Sequence, residues 1–135
     1  MLNQLKSPDL KILVIEDNKD ILEIINIILS DDGYEVVSHR DGSCIDHLKD
    51  INPGLIITDE LLPGTKGSEL CHRLKESEEF KHIPVVLMSA SQALENIAIK
   101  CRADAYMAKP FDMDALTELV KDLLSKQQSD SVFEV

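Results

Sequence analysis

Five polar residues that could act together on one oxygen-rich ligand each follow a short apolar run: Glu16 and Asp17 after ILVI, Asp59 after LIIT, Ser89 after VVLM, and Lys109, itself followed by Pro110, after AYMA. Gathered in one place, three carboxylates repel one another at neutral pH unless a cation offsets them. Magnesium suits such a set, because it takes oxygen ligands in an octahedron, keeps several waters, and relies on one or two carboxylates plus phosphate oxygens. Asp17 and Asp59 are the candidate direct ligands, Glu16 the holder of a coordinated water, and the Leu61 carbonyl a further oxygen. Asp59 has a second capability, since a carboxylate can attack phosphorus and form an acyl phosphate. The ion then orients the donor and offsets charge on the equatorial oxygens. Lys109 is a point charge suited to a phosphate oxygen, and the Ser89 hydroxyl can donate to another.

Each residue taken alone has an ordinary reading. Asp17 can cap a helix beginning near Asn18. Asp59 can be a turn residue before Leu62-Pro63-Gly64, where Pro and Gly suit a type II turn. Lys109 can be a solvated strand end and Ser89 a loop cap. Together, at the ends of four strands, they point to one site.

The elements that must position them follow from periodicity. Strand-length apolar runs predict strands over 11–16, 34–39, 55–59, 84–89 and 105–108. Between them, helical spacing places Ile21, Ile24, Ile25 and Ile28 on one face, Ile45 and Leu48 on a short second helix, and Leu70, Cys71 and Leu74 on a third. Leu94, Ile97, Ala98 and Cys101 mark a fourth. Leu116, Leu119, Val120, Leu123 and Leu124 mark a fifth, with Asp112 as its N-cap. Strict alternation predicts an α/β doubly wound parallel sheet with helices on both faces. Its central strands are continuously apolar, whereas 34–39 carries Glu35 and Ser38 and reads as an edge. In such a sheet ligands bind beyond the carboxyl ends of the strands, where the five polar residues stand.

The chain has 135 residues, 44% of them apolar, enough for one domain with a real core, expected over 9–126. Residues 127–135, rich in Ser, Gln and Asp, are expected to form a loose tail. A net charge of −11 repels nucleic acid and anionic lipid, so neither is expected as a direct partner. Cys44, Cys71 and Cys101 include no C-x-x-C pair and read as reduced, buried thiols. His39, His47, His72 and His82 are scattered and gain no role. Without a signal-peptide core or a membrane-spanning apolar run, the expected location is cytoplasmic.

Four spaced segments, ILVIEDN at 12–18, LIITDELLPGTKG at 55–67, VVLMSA at 85–90 and ADAYMAKPF at 103–111, resemble the CheY-like receiver domains of bacterial two-component response regulators. The resemblance implies a flavodoxin-like five-stranded sheet in the order 2-1-3-4-5. It implies Glu16 and Asp17 as the acidic magnesium pair, Asp59 as phosphoacceptor and metal ligand, and Leu61 as the carbonyl ligand. Ser89 becomes a hydroxyl switch, Tyr106 an aromatic switch, Lys109 the phosphate-sensing lysine, and Lys109-Pro110 a cis peptide. Tyr106 also has an ordinary reading, as a half-buried strand aromatic. Implied partners are a sensor histidine kinase or phosphotransfer protein, and a downstream protein docking on the face of the fourth helix, fifth strand and fifth helix. A weak homodimer through the fourth helix and fifth strand is also open.

Several positions depart from the family pattern. Glu16 stands in place of the commoner Asp, Leu62 in place of Met, and Thr65-Lys66 in place of an apolar residue and Asp. Arg102 stands where Gly is usual, and predicts a different exit from the fourth helix. Two other classes are weighed: a phosphorylation-independent interaction domain, and a phosphatase-type enzyme on a related fold. The phosphatase expects Asp-x-Asp after an early strand, which Asp59-Glu60-Leu61 does not match.

Overall fold

The computed structural model describes residues 11–133, with side chains described over 11–126. Five parallel strands make the central sheet: β1 (Lys11–Ile15), β2 (Glu35–His39), β3 (Leu55–Asp59), β4 (Val85–Ser89) and β5 (Ala105–Ala108), lying side by side in the order β2-β1-β3-β4-β5. Registers such as Ile12 opposite Leu55 and Ile56 opposite Val85 bring the carboxyl ends of β1, β3 and β4 to one rim. The helices are α1 (Lys19–Asp31), α2 (Leu48–Ile51), α3 (Gly67–Glu76), α4 (Leu94–Cys101) and α5 (Met113–Phe133).

Alternation along each buried strand divides the core in two. Leu13, Ile15, Ile56, Val85 and Leu87 pack against Leu48 of α2, Leu70 and Leu74 of α3, and Leu94 and Ala98 of α4. Ile12, Val14, Ile57, Val86 and Met88 pack on the opposite face against Ile25, Ile28 and Leu29 of α1 and Leu116, Val120 and Leu124 of α5. Burial on both faces is what requires continuously apolar strands. The more polar β2 lies at the edge, as its Glu35 and Ser38 foretell. The three cysteines are free and buried, and burial pushes the Cys44 thiol up to about 11.

Four local features differ from the sequence-based expectations. The segment before α2 is a 3-10 helix, Gly42–His47, started by the Asp41 carboxylate accepting from Ser43 N. A two-stranded antiparallel hairpin, Leu61–Leu62 with Thr65–Lys66, follows β3, turning at Pro63-Gly64 with Gly64 at φ 80°. Its strands are too short for periodicity to reveal. Helix α5 continues through Phe133, seven residues into the expected loose tail, and no Gly or Pro between 111 and 135 interrupts it. The expected domain start at residue 9 lies outside the described residues.

The fourth difference corrects the reading of Arg102. Helix α4 takes the ordinary left-handed exit with Arg102 itself at φ 65° and ψ 34°, closed by Ala103 N donating to Ala98 O at 2.9 Å. A Cβ in this region costs about 1–2 kcal/mol. The guanidinium pairs with Glu76 at the end of α3, which helps offset that cost.

Candidate functional site

The rim collects the predicted residues around one lysine. Lys109 Nζ lies 2.7 Å from Glu16 Oε1 and 2.7 Å from Asp59 Oδ1. Glu16 and Asp59 are 2% and 5% exposed, so these are nearly dry carboxylates. Glu16 Oε2 accepts from Asn18 N at 2.9 Å, and Asp59 Oδ2 accepts from Leu61 N at 3.0 Å. Asp59 Oδ1 is buried and receives no hydrogen bond of proper angle, despite the short approach of the ammonium. Burial alone would depress the Lys109 ammonium, but its pairing with Asp59 and Glu16 outweighs that and holds it above the usual lysine value.

Backbone geometry explains why this lysine reaches the site. Lys109 N donates to Ser89 O at 3.0 Å, continuing the β4–β5 ladder by one residue, and the Lys109-Pro110 peptide is cis. Ser89 is buried at the end of β4, and its hydroxyl oxygen accepts from Ser91 N at 3.0 Å. Tyr106 stands on β5 with 44% of its surface exposed. Its ring is therefore about half-buried on the strand, more exposed than Glu16, Asp59 or Ser89, which leaves both the strand-aromatic and the switch readings open.

Asp17 is placed differently from Glu16. The α1 cap is Asn18, whose side chain accepts from Ile21 N at 3.0 Å, so Asp17 does not serve as the cap. Its half-exposed carboxylate lies 3.9 Å from Arg40, whose guanidinium also donates to the Asp17 carbonyl. Among the described residues no three His, Cys, Asp or Glu side chains are grouped as the ligands of one ion. What the structure does bring together is Glu16, Asp59 and Lys109, with Leu61 and Ser89 alongside.

Two residues escaped the sequence reading. Glu60 is 6% exposed, and its carboxylate accepts from Ser68 N at 2.8 Å and Ser68 Oγ at 2.9 Å at the start of α3. Gly67 packs so close to β3 that a Cβ there would stand 2.1 Å from the Asp59 carbonyl oxygen. The glycine was visible in the sequence, but its neighbour across the hairpin was not.

Among the described residues no helix is long and apolar enough to cross a membrane. Over 128 residues the chain is 34% identical to the sensor histidine kinase TmoS of Ectopseudomonas mendocina, covering 92% of this chain but only 13% of that protein. The signal receiver domain of a signal transduction histidine kinase from Syntrophus aciditrophicus superposes with a TM-score of 0.80 at 33% identity, covering 86% of this chain and 90% of that one. The receiver domain of sensor histidine kinase PA1611 from Pseudomonas aeruginosa PAO1, described with magnesium coordinated in its active-site cleft, shares the fold at a TM-score of 0.78 and 23% identity, over 85% of this chain and 97% of that one. The family model of the response regulator receiver domain matches residues 12–121, and the chain belongs to that family.

Proposed function

We propose that this receiver domain takes a phosphoryl group onto Asp59 from a sensor histidine kinase or a phosphotransfer protein, and thereby resets a protein-binding surface. The observation that carries this reading is the shared ammonium: Lys109 lies 2.7 Å from both Glu16 and Asp59, while Asp59 Oδ1 is buried without a hydrogen bond. Two buried carboxylates against one ammonium leave negative charge uncompensated, which favours a hard dication. Glu16, Asp17, Asp59 and the Leu61 carbonyl would hold magnesium, and a bound ion there supplies neutralisation of the phosphoryl oxygens.

In the transfer, an Asp59 carboxylate oxygen bonds to phosphorus as the bond from phosphorus to the donor nitrogen breaks, the electron pair leaving with the nitrogen. Lys109 then exchanges a carboxylate partner for a phosphoryl oxygen. The Ser89 hydroxyl turns to donate to another, and Tyr106 moves inward behind it. That repacks the face of α4, β5 and α5, a population shift between two arrangements. The domain acts as a regulatory module, promoting only its own phosphorylation and dephosphorylation.

Incubation with acetyl phosphate and magnesium, read by intact mass, tests the acceptor. One added phosphoryl group is expected in the wild type, and none in Asp59→Asn or without the ion. Undiminished labelling of Asp59→Asn rejects Asp59 as the acceptor.

A further inference from the structure

We infer that Glu60 is a positioning residue, whose buried carboxylate clamps the start of α3 and so fixes the chain on either side of it, Asp59 and the Leu61 carbonyl; this rests on the acceptor reading above only for its consequence for phosphorylation. Every polar group of Glu60 is anchored. Its N–H donates to Met88 O at 2.8 Å on β4, and its carbonyl accepts from Gly67 N at 3.0 Å. Its carboxylate takes both the N–H and the hydroxyl of Ser68. A carboxylate at a helix N-terminus meets unpaired amides and the positive end of the helix dipole, so the clamp is favourable where it lies. Pairing of Leu61 with Lys66 closes the hairpin between the two anchors. With both ends tied, the intervening peptide has little freedom, and the Asp59 Oδ2 contact with Leu61 N is held in place. Nothing in the proposed transfer consumes Glu60, and its burial beside a second acid is otherwise unrewarded.

Amide hydrogen exchange and magnesium titration by NMR on Glu60→Ala and Glu60→Gln test the clamp. Glu60→Ala is expected to speed exchange at Leu61, Gly67 and Ser68 about tenfold, while amides of β1 keep wild-type rates, and to raise the magnesium concentration for half-saturation several-fold. Glutamine can still accept from Ser68 N, so Glu60→Gln is expected to stay within about threefold of wild type in both. Wild-type exchange at Leu61 and Gly67 in Glu60→Ala overturns the inference, as does Glu60→Gln failing as badly as Glu60→Ala. Exchange is read on the unphosphorylated protein. A wild type that takes no phosphoryl group from acetyl phosphate therefore counts against the acceptor reading and leaves the clamp to be judged by exchange.

Discussion

Lys109 Nζ approaches Asp59 Oδ1 to 2.7 Å, close enough for this buried carboxylate to hold the ammonium charged. The same ammonium serves Glu16 at equal distance. Replacing it by an apolar chain of similar length leaves two buried carboxylates uncompensated, and breaking such a pair is costly. Lys109→Met is expected to lose about 3 kcal/mol of stability near neutral pH, measured by urea unfolding. The pH dependence has a definite sign. Because folding holds Lys109 above its ordinary 10.5, the stabilisation is fully present below that value and is lost as pH rises through the folded value. The gap between wild type and Lys109→Met therefore narrows above about pH 10.5. A gap constant into strongly alkaline solution places the stabilisation elsewhere.

Tyr106 and Tyr34 are the only tyrosines, which makes the proposed ring movement easy to follow. Tyr34 is partly buried beside α1, on the face away from α4, and serves as an internal control. On phosphorylation the Tyr106 ring resonances are expected to shift and its solvent exposure to fall from the present 44%, with Tyr34 unchanged. Ser89→Ala should still take phosphate yet leave Tyr106 outward, because the hydroxyl that draws β4 toward the phosphoryl group is gone. Inward movement of Tyr106 in phosphorylated Ser89→Ala separates the two residues and rejects the coupling.

Apolar runs exposed the sheet because strands buried on both faces have no choice but to be apolar, and residues closing those runs fall at one rim by the geometry of parallel strands. Glu16, Asp59, Ser89 and Lys109 were legible for that reason. Glu60 was not, since an acid after Asp59 looks like the start of a solvated loop, and its partner Ser68 lies across a hairpin of two-residue strands. Asp17 was only half legible: its position at the rim is plain, but the neighbouring Asn18 takes the cap and Arg40, 23 residues away, takes its carbonyl. Arg102 misled because local preference was weighed without the fold. The packing of α4 sets the exit, and an unfavourable residue at the turn changes its cost more than its shape.

That cost gives a measurable outcome. Arg102→Gly removes Cβ strain at φ 65° but also removes the pairing with Glu76 and loosens the unfolded chain. Since exposed ion pairs are worth at most about 1 kcal/mol, strain relief should win slightly, giving about 0.5 kcal/mol of added stability. Arg102→Ala keeps the strain and loses the pair, so it should be less stable than wild type. A urea series in which Ala matches or exceeds Gly contradicts the strain account.

Gly67 offers the sharpest structural test near the acceptor. Its amide donates to Glu60 O, and the Asp59 carbonyl passes where a side chain would begin. A separation of 2.1 Å from backbone cannot be relieved by a rotamer change, so either α3 or the end of β3 must move. Thr58 Oγ1, 3.1 Å from the same point, blocks one direction of retreat. Gly67→Ala is therefore expected to lose about 3 kcal/mol. Because the displaced atoms belong to Asp59 itself, acetyl phosphate labelling of the folded fraction should also slow by at least tenfold. Gly64→Ala, whose Cβ meets nothing within 4 Å but sits at φ 80°, is the control: it should cost about 1 kcal/mol through backbone strain alone and leave labelling near wild type. Equal losses of labelling in the two variants indicate that hairpin strain, and not the contact with Asp59, governs the acceptor.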